Sequence, residues 1–149
     1  MPKVQTLLEL LIHQAFIDGS RPALISIKNH STCYRRLINH LQAIALQLNQ
    51  MGFHRGDRLA VVLPNGPEMA SAYLAVTAVC TCAPLNPAYS LSEFEFYLKD
   101  IGARAVILEA GSTSRVREAA TQLGIPILTV DINPECPGLF SMTSDLDRN

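Results

Sequence analysis

The sequence has neither a long apolar run nor an excess of charge of one sign. No apolar stretch approaches the ~20 residues of a transmembrane helix, and the amino terminus lacks the features of an export signal. The 12 Lys and Arg residues nearly balance 13 Asp and Glu residues. Because nucleic-acid and anionic-membrane binding usually need a basic face, we expect neither partner. We expect a cytoplasmic protein without a membrane span.

Motifs that carry familiar chemistries are also missing. No two cysteines form a Cys-x-x-Cys pair, and no two histidines are spaced i, i+4. The residues concerned are Cys33, Cys80, Cys82 and Cys136, and His13, His30, His40 and His54. No serine lies in a Gly-x-Ser-x-Gly elbow. The residues alone predict reduced cysteines that act as small hydrophobic side chains, and they predict no metal site and no catalytic residue.

The chain has the length of a single domain and enough apolar residues to build a hydrophobic core. Of its 149 residues, 48% are apolar, and a chain of this size buries about 70% of the surface that its unfolded form exposes. Thr6 and Glu9 form a capping box that predicts a helix to about Asp18. Two short strand-forming segments on either side of a turn at Asn29 then predict a small hairpin.

Beyond the hairpin, amphipathic helices alternate with short apolar runs. The predicted helices cover about 34–51, 65–80 and 90–101, followed by one that ends at Gly124, and the predicted strands cover 59–63, 81–83, 105–108 and 125–130. Four strands separated by three helices predict an α/β fold with a mostly parallel, right-handed sheet and flanking helices. From Asn133 onward the sequence has no periodicity. We therefore expect an α/β subdomain over residues 1–132 and a poorly ordered tail over 133–149.

Four segments in order resemble the acyl-adenylate-forming, or AMP-dependent, synthetase superfamily. They are Tyr34 to Leu37 at the head of a helix, Gly56 to Glu68 across a strand and a helix start, Pro84 to Pro87 at a proline-asparagine-proline turn, and Ala88 to Leu98. The last segment looks most like oxalate-CoA ligases and long-chain acyl-CoA synthetases. The order and spacing of the four segments identify the chain as a member of the superfamily.

The resemblance implies a two-domain enzyme that activates a carboxylate with Mg-ATP, releases pyrophosphate and passes the acyl group from AMP to coenzyme A. This chain is similar to the first subdomain of that enzyme's large domain. The family's phosphate loop, which ends in Pro-Lys-Gly, and its other catalytic residues match no position here. The resemblance thus implies no catalytic, cofactor-binding or metal-binding residue in this chain. ATP, Mg and CoA belong to the full-length family, and we expect no cofactor for this chain alone.

The nearest imitation of a phosphate loop is the segment Gly111 to Ser114. Its small, hydroxyl-bearing residues lie between a predicted strand and a predicted helix, where backbone amides can face a phosphate. The segment has neither the second glycine nor the lysine of a phosphate loop, and helix capping explains it without a ligand. We therefore favour a helix cap at this position.

Two functions remain open. In the first, the chain is the amino-terminal part of an acyl-CoA synthetase and is inactive alone. In the second, it is a non-catalytic binding or complementing module that docks with a separately encoded remainder of the ligase or with a second copy of itself. An unpaired sheet edge and uncovered apolar surface would favour such association. Neither the carboxylate of the parent enzyme nor any activity of this chain alone is indicated by the sequence.

Overall fold

The chain begins with a capped helix and a small hairpin. The structure, a computed structural model, describes residues 6–145. Helix α1 (Leu7–Asp18) is followed by an antiparallel pair formed by β1 (Pro22–Ile25) and β2 (Ser31–Cys33). The amide of Glu9 donates to the Thr6 hydroxyl at 3.1 Å, and the amide of Thr6 donates to the Glu9 carboxylate at 3.0 Å. The predicted capping box, helix and hairpin are confirmed.

A five-stranded sheet forms the main body, with the spatial order β4-β3-β5-β6-β7. In chain order its elements are α2 (Tyr34–Gln50), β3 (Arg58–Val62), α3 (Pro67–Thr77), β4 (Thr81–Pro84), α4 (Leu91–Asp100), β5 (Ala105–Glu109), α5 (Val116–Leu123), β6 (Ile127–Ile132) and β7 (Phe140–Ser144). Neighbouring strands from β4 to β6 are parallel, and β7 is antiparallel to β6. The predicted mostly parallel sheet is confirmed.

Helices cover both faces of the sheet and create two cores. On one face α2 and α3 pack against the side chains of Leu59, Val61 and Ile107, and α1 packs at the margin of this core. On the other face α4 and α5 pack against Ala60 and Val62. Because successive strand residues point to opposite faces, the uninterrupted apolar run of β3 serves both cores. Within residues 6–145, no helix has the length and apolar composition that a membrane crossing needs.

Helix α3 starts and ends differently from the prediction. The predicted helix began at about residue 65, whereas Gly66 is the N-cap and Pro67 occupies the first helical position. Proline fits this position because its ring fixes φ at a helical value and its missing N–H would have no partner there. The helix ends at Thr77, three residues before the predicted end at Cys80. The amide of Cys80 still bonds to the carbonyl of Val76 at 2.8 Å, which explains the helical pattern of these residues.

The tail predicted from residue 133 contains a strand. Residues 140–144 form β7, in which Phe140 and Met142 are buried against the core of α2 and α3 while Ser141 and Thr143 are exposed. The prediction of a poorly ordered tail is wrong for this segment, and the sheet extends past the predicted boundary at residue 132. An alternation of only five residues, with two large apolar side chains, is a weak strand signal. Residues 146–149 lie outside the described part of the chain.

The loop between β6 and β7 is fastened to the start of α3. Gly138 in this loop has a φ of +80°. Its amide donates to the Glu68 carboxylate at 3.0 Å, and its carbonyl accepts a bond from the hydroxyl of the fully buried Ser71 at 2.5 Å. These bonds hold the loop against the helix that covers the same core as β7.

Candidate functional site

A cleft opens where β3 and β5 end, and we call it the strand-end cleft. It is lined by Pro64 and by residues 87–89 and 109–115, and its volume is about 480 Å³. β3 and β5 are neighbours in the sheet, yet α3 follows β3 onto one face and α5 follows β5 onto the other. Ligands of open α/β sheets bind at such points, outside the carboxyl ends of strands whose connections diverge. The fold thus indicates this cleft as the candidate site.

Hydroxyl groups on the floor of the strand-end cleft hold its own loops together. The Ser114 hydroxyl donates to the carbonyl of Pro87 at 3.0 Å and accepts a bond from the amide of Val116 at 3.4 Å. The Ser112 hydroxyl accepts a bond from the amide of Ser114 at 3.3 Å. These bonds join the loop after β4 to the loop after β5 just before α5, whose N-cap residue Arg115 makes no side-chain capping bond. They account for the small hydroxyl-bearing residues that resembled a phosphate loop.

An aromatic cluster supports one wall of the cleft. The ring of Tyr89 stacks on that of Tyr97, with centroids 5.1 Å apart, and meets the buried ring of Phe94 edge-on at 5.7 Å. Offset-stacked and edge-on contacts are the favourable geometries for aromatic pairs. The cluster therefore anchors Tyr89 to α4 and fixes the loop after β4.

The charged side chains that line the strand-end cleft are few and do not form a catalytic cluster. Among its lining residues the charged side chains are Glu109 and Arg115, and Arg115 pairs with Glu118 at 2.9 Å on the exposed surface. The lining includes no lysine, histidine or cysteine. Within residues 6–145 no group of three His, Cys, Asp or Glu side chains could hold a metal ion. The cleft therefore presents two unlike charges and several hydroxyl groups to a small polar ligand.

Three groups whose pKa values are shifted by burial lie away from the cleft, in the core beneath α2 and α3. Burial raises the pKa of Cys80 to about 11 and, with the nearby Cys80 thiol, that of Cys82 to about 12. Burial also lowers the pKa of His40, whose ring meets Phe140 edge-on at a centroid distance of 4.6 Å. Both thiols pack with apolar side chains, which confirms their predicted role as small hydrophobic residues.

Sequence reasoning had pointed to only one stretch of the cleft, residues 111–114. Of the other lining residues, Pro64 and Glu109 directly follow predicted strands, and this position was the signal available for them. No catalytic or binding residue had been predicted, so the structure brings no predicted site residues together. That this chain supplies none of the family's catalytic residues remains a prediction.

Comparison with known proteins decides the family. The protein family described as "AMP-binding enzyme" matches residues 12–145, nearly the whole chain. The chain belongs to the AMP-binding enzyme family. It is 32% identical to 4-coumarate-CoA ligase 3 of Oryza sativa subsp. japonica over 115 residues, which are 76% of this chain and 21% of that protein. It is 32% identical to oxalate-CoA ligase of Arabidopsis thaliana over 144 residues, which are 95% of this chain and 28% of that protein.

The architecture agrees with this membership. A benzoate CoA ligase from Burkholderia xenovorans LB400 superimposes with a TM-score of 0.74 at 20% identity, over 86% of this chain and 26% of that one. At that identity the likeness establishes the shared fold. The superfamily predicted from the sequence is confirmed, and an oxalate-CoA ligase is among the relatives, as residues 88–98 had suggested. This AMP-binding enzyme chain spans between a fifth and a third of the length of these relatives.

Proposed function

We propose that this chain is the amino-terminal part of the large domain of an AMP-forming acyl-CoA synthetase, and that it supports a catalytic centre built by other segments. This proposal is supported mainly by the family match over residues 12–145, together with the finding that the chain covers only 28% of oxalate-CoA ligase. The lining of the strand-end cleft includes no lysine, histidine or cysteine and no metal-ligand set, which supports a structural role.

The reaction that we assign to the complete enzyme is the joining of a carboxylate to CoA through an acyl-adenylate. The relatives are named for oxalate and 4-coumarate, both of which are carboxylates. We assign no residue of this chain to ATP, Mg or CoA. The chain alone is then inactive, because the residues that line its strand-end cleft include no lysine and no histidine and form no metal-ligand set for a reacting phosphate or acyl oxygen.

A chimeric ligase tests the supporting role. Residues 1–149 replace the aligned segment of Arabidopsis thaliana oxalate-CoA ligase, and oxalate-dependent ATP–pyrophosphate exchange is measured beside the parent and a deletion of that segment. We expect the chimera to recover exchange that the deletion loses and to keep the preference for oxalate. A chimera that melts cooperatively like the parent but catalyses no exchange would contradict the proposal.

We also propose that the protein works in the cytosol. All four cysteines are unpaired, which suits a reducing compartment. Fluorescence microscopy of carboxyl-terminal fusions in the source cells tests this location, and accumulation in a secretory compartment would contradict it.

A further inference from the structure

Helix α2 holds β7 through two side chains on one face. The ring of His40 packs edge-on against that of Phe140, and the side-chain amide of Gln47 donates to the Met142 carbonyl at 2.8 Å. Residues seven positions apart, as His40 and Gln47 are, lie on the same face of a helix. Within residues 6–145, β7 pairs with one strand, β6, so these contacts with α2 add to that pairing.

The half-buried ring of His40 lies in surroundings that suit a neutral imidazole. Its centroid is 4.6 Å from that of Phe140, and the two ring planes are at 88°. The Nε2 atom is buried and has no hydrogen-bond partner within residues 6–145. A neutral ring with its hydrogen on Nδ1 leaves Nε2 as an acceptor, whereas a protonated ring makes Nε2 a charged donor. A buried charged donor without an acceptor is unfavourable, so protonation opposes the packing of this ring.

The charged and titratable groups around this side of α2 do not compensate the ring. They are Arg36 on α2, Glu135 and Cys136 in the loop before β7, His30 on the hairpin and Glu68 on α3, and β7 itself has none. Arg36 donates to the Cys136 thiol at 3.0 Å, and the Glu68 carboxylate accepts the amide of Gly138 at 3.0 Å. Burial alone lowers the pKa of His40, and no charge contributes to the shift. Among the described residues, the protonated ring therefore has no carboxylate partner.

The direction of this shift gives the pH range in which His40 acts. A histidine of the unfolded chain has a pKa of about 6.5, and the pKa of His40 in the folded chain is lower. Folding therefore favours the neutral ring. The stabilisation from its packing is complete above about pH 6.5 and is lost as the pH falls through the folded pKa.

We propose that His40 makes the attachment of β7 to α2 sensitive to pH, and that protonation of its ring in mild acid frees β7 and the loop before it from α2. Release exposes the buried side chains of Phe140 and Met142, together with the part of α2 that they cover. The strands from β4 to β6 keep their pairing. The inference concerns α2 and β7 and does not depend on the proposed ligase role.

Hydrogen exchange of single amides, followed by NMR, tests the release. The amide of Asn133 donates to the Leu139 carbonyl at 3.2 Å, so the pairs at every second position, which include Ser141 and Thr143, are hydrogen-bonded to β6. Between about pH 7.5 and about pH 5.5, on either side of the unfolded pKa, the protection factors of these two amides should fall severalfold. The amide of the buried Ile107 in β5 should keep its protection.

Two variants assign the effect to His40. His40→Phe keeps an aromatic ring against Phe140 but cannot be protonated, so the protection of Ser141 and Thr143 should not fall in acid. His30→Gln is the matched control, because His30 is the other imidazole beside this segment and its Nδ1 atom lies 3.2 Å from the Pro134 carbonyl. This control should show the same fall as the wild type.

An NMR titration of the His40 ring in the wild type supplies a readout that needs no variant. The pKa of the ring should be lower in the folded chain than in the same chain in urea. An absent fall in wild-type protection, an equal fall in His40→Phe, a loss shared by Ile107, or a folded pKa at or above the unfolded one would overturn the proposal. If His40→Phe does not fold, the titration and the Ile107 comparison still decide.

Discussion

Arg104 and Asp57 form an ion pair that joins the residue before β5 to the residue before β3. The same guanidinium donates to the carbonyl of Gly52 at 2.9 Å and lies 5.0 Å from the ring centroid of Phe53. The Asp57 carboxylate also accepts a bond from the amide of His54 at 2.8 Å. The pair thus fixes the amino ends of the two strands whose carboxyl ends form the strand-end cleft.

Removal of this guanidinium should destabilise the fold. Arg104→Ala loses the ion pair, the bond to Gly52 and the contact with Phe53 together, and it leaves Asp57 without its cation. Arg117→Ala is the control because this arginine is exposed on α5, and its stability should stay within about 0.5 kcal/mol of wild type. Urea unfolding should show a lower midpoint for Arg104→Ala than for Arg117→Ala. Equal midpoints would mean that the ion pair contributes nothing.

The stability of the chain should fall in acid partly through Asp57. Burial disfavours its charged form, but the bond from the His54 amide and the Arg104 guanidinium outweigh this effect and hold the pKa of Asp57 below its ordinary value. A lowered pKa in the folded state stabilises the fold above the unfolded pKa of about 3.9, and this stabilisation is lost as pH falls through the folded pKa. In urea unfolding between neutral pH and acid, the free energy of unfolding should therefore fall less for Asp57→Asn than for the wild type. Parallel curves for the two proteins would contradict this assignment.

Replacement of Gly138, in the loop before β7, should destabilise the fold more than replacement of Gly111, in the strand-end cleft. Both glycines have positive φ, +80° and +72°, so alanine at either position carries a strain of about 1–2 kcal/mol. A Cβ at Gly138 would also overlap the Leu24 Cδ1 atom and lie 3.1 Å from the Pro67 carbonyl, whereas one at Gly111 would meet nothing within 4 Å. Gly138→Ala should have the lower melting temperature. If the two variants melt together, the loop is not held as tightly as described.

The four thiols should differ in reactivity. The pKa values of Cys80 and Cys82 are about 11 and 12, so at pH 8 at most roughly a thousandth of either thiol is ionised to the reactive thiolate. Alkylation by iodoacetamide at this pH, followed by peptide mass spectrometry, should leave the peptide with both residues unmodified while the half-buried Cys33 and Cys136 react. In urea all four should react. Rapid native labelling of Cys80 would show that the core beneath α3 opens readily.

Local signals predicted most of the helices and strands. The Ser90 and Glu93 side chains cap α4 at the predicted start near residue 90, and Gly124 ends α5, as predicted, with a φ of +65°. Non-local features could not be predicted. β7 is stabilised by burial of Phe140 and Met142 against helices far away in the sequence, and the strand-end cleft exists because β5 pairs with β3 rather than with β4. That strand order is a tertiary property, which periodicity along the chain does not encode.

The measurement that tests the central claim most directly is ATP–pyrophosphate exchange by the purified 149-residue chain. Oxalate, 4-coumarate and benzoate are offered with Mg-ATP, and Arabidopsis thaliana oxalate-CoA ligase serves as the positive control with oxalate. A chain that supports a catalytic centre without supplying it should give no exchange above the protein-free blank with any of these acids. Carboxylate-dependent exchange that follows the folded chain through purification would contradict the account, since the catalytic centre would then lie within these residues.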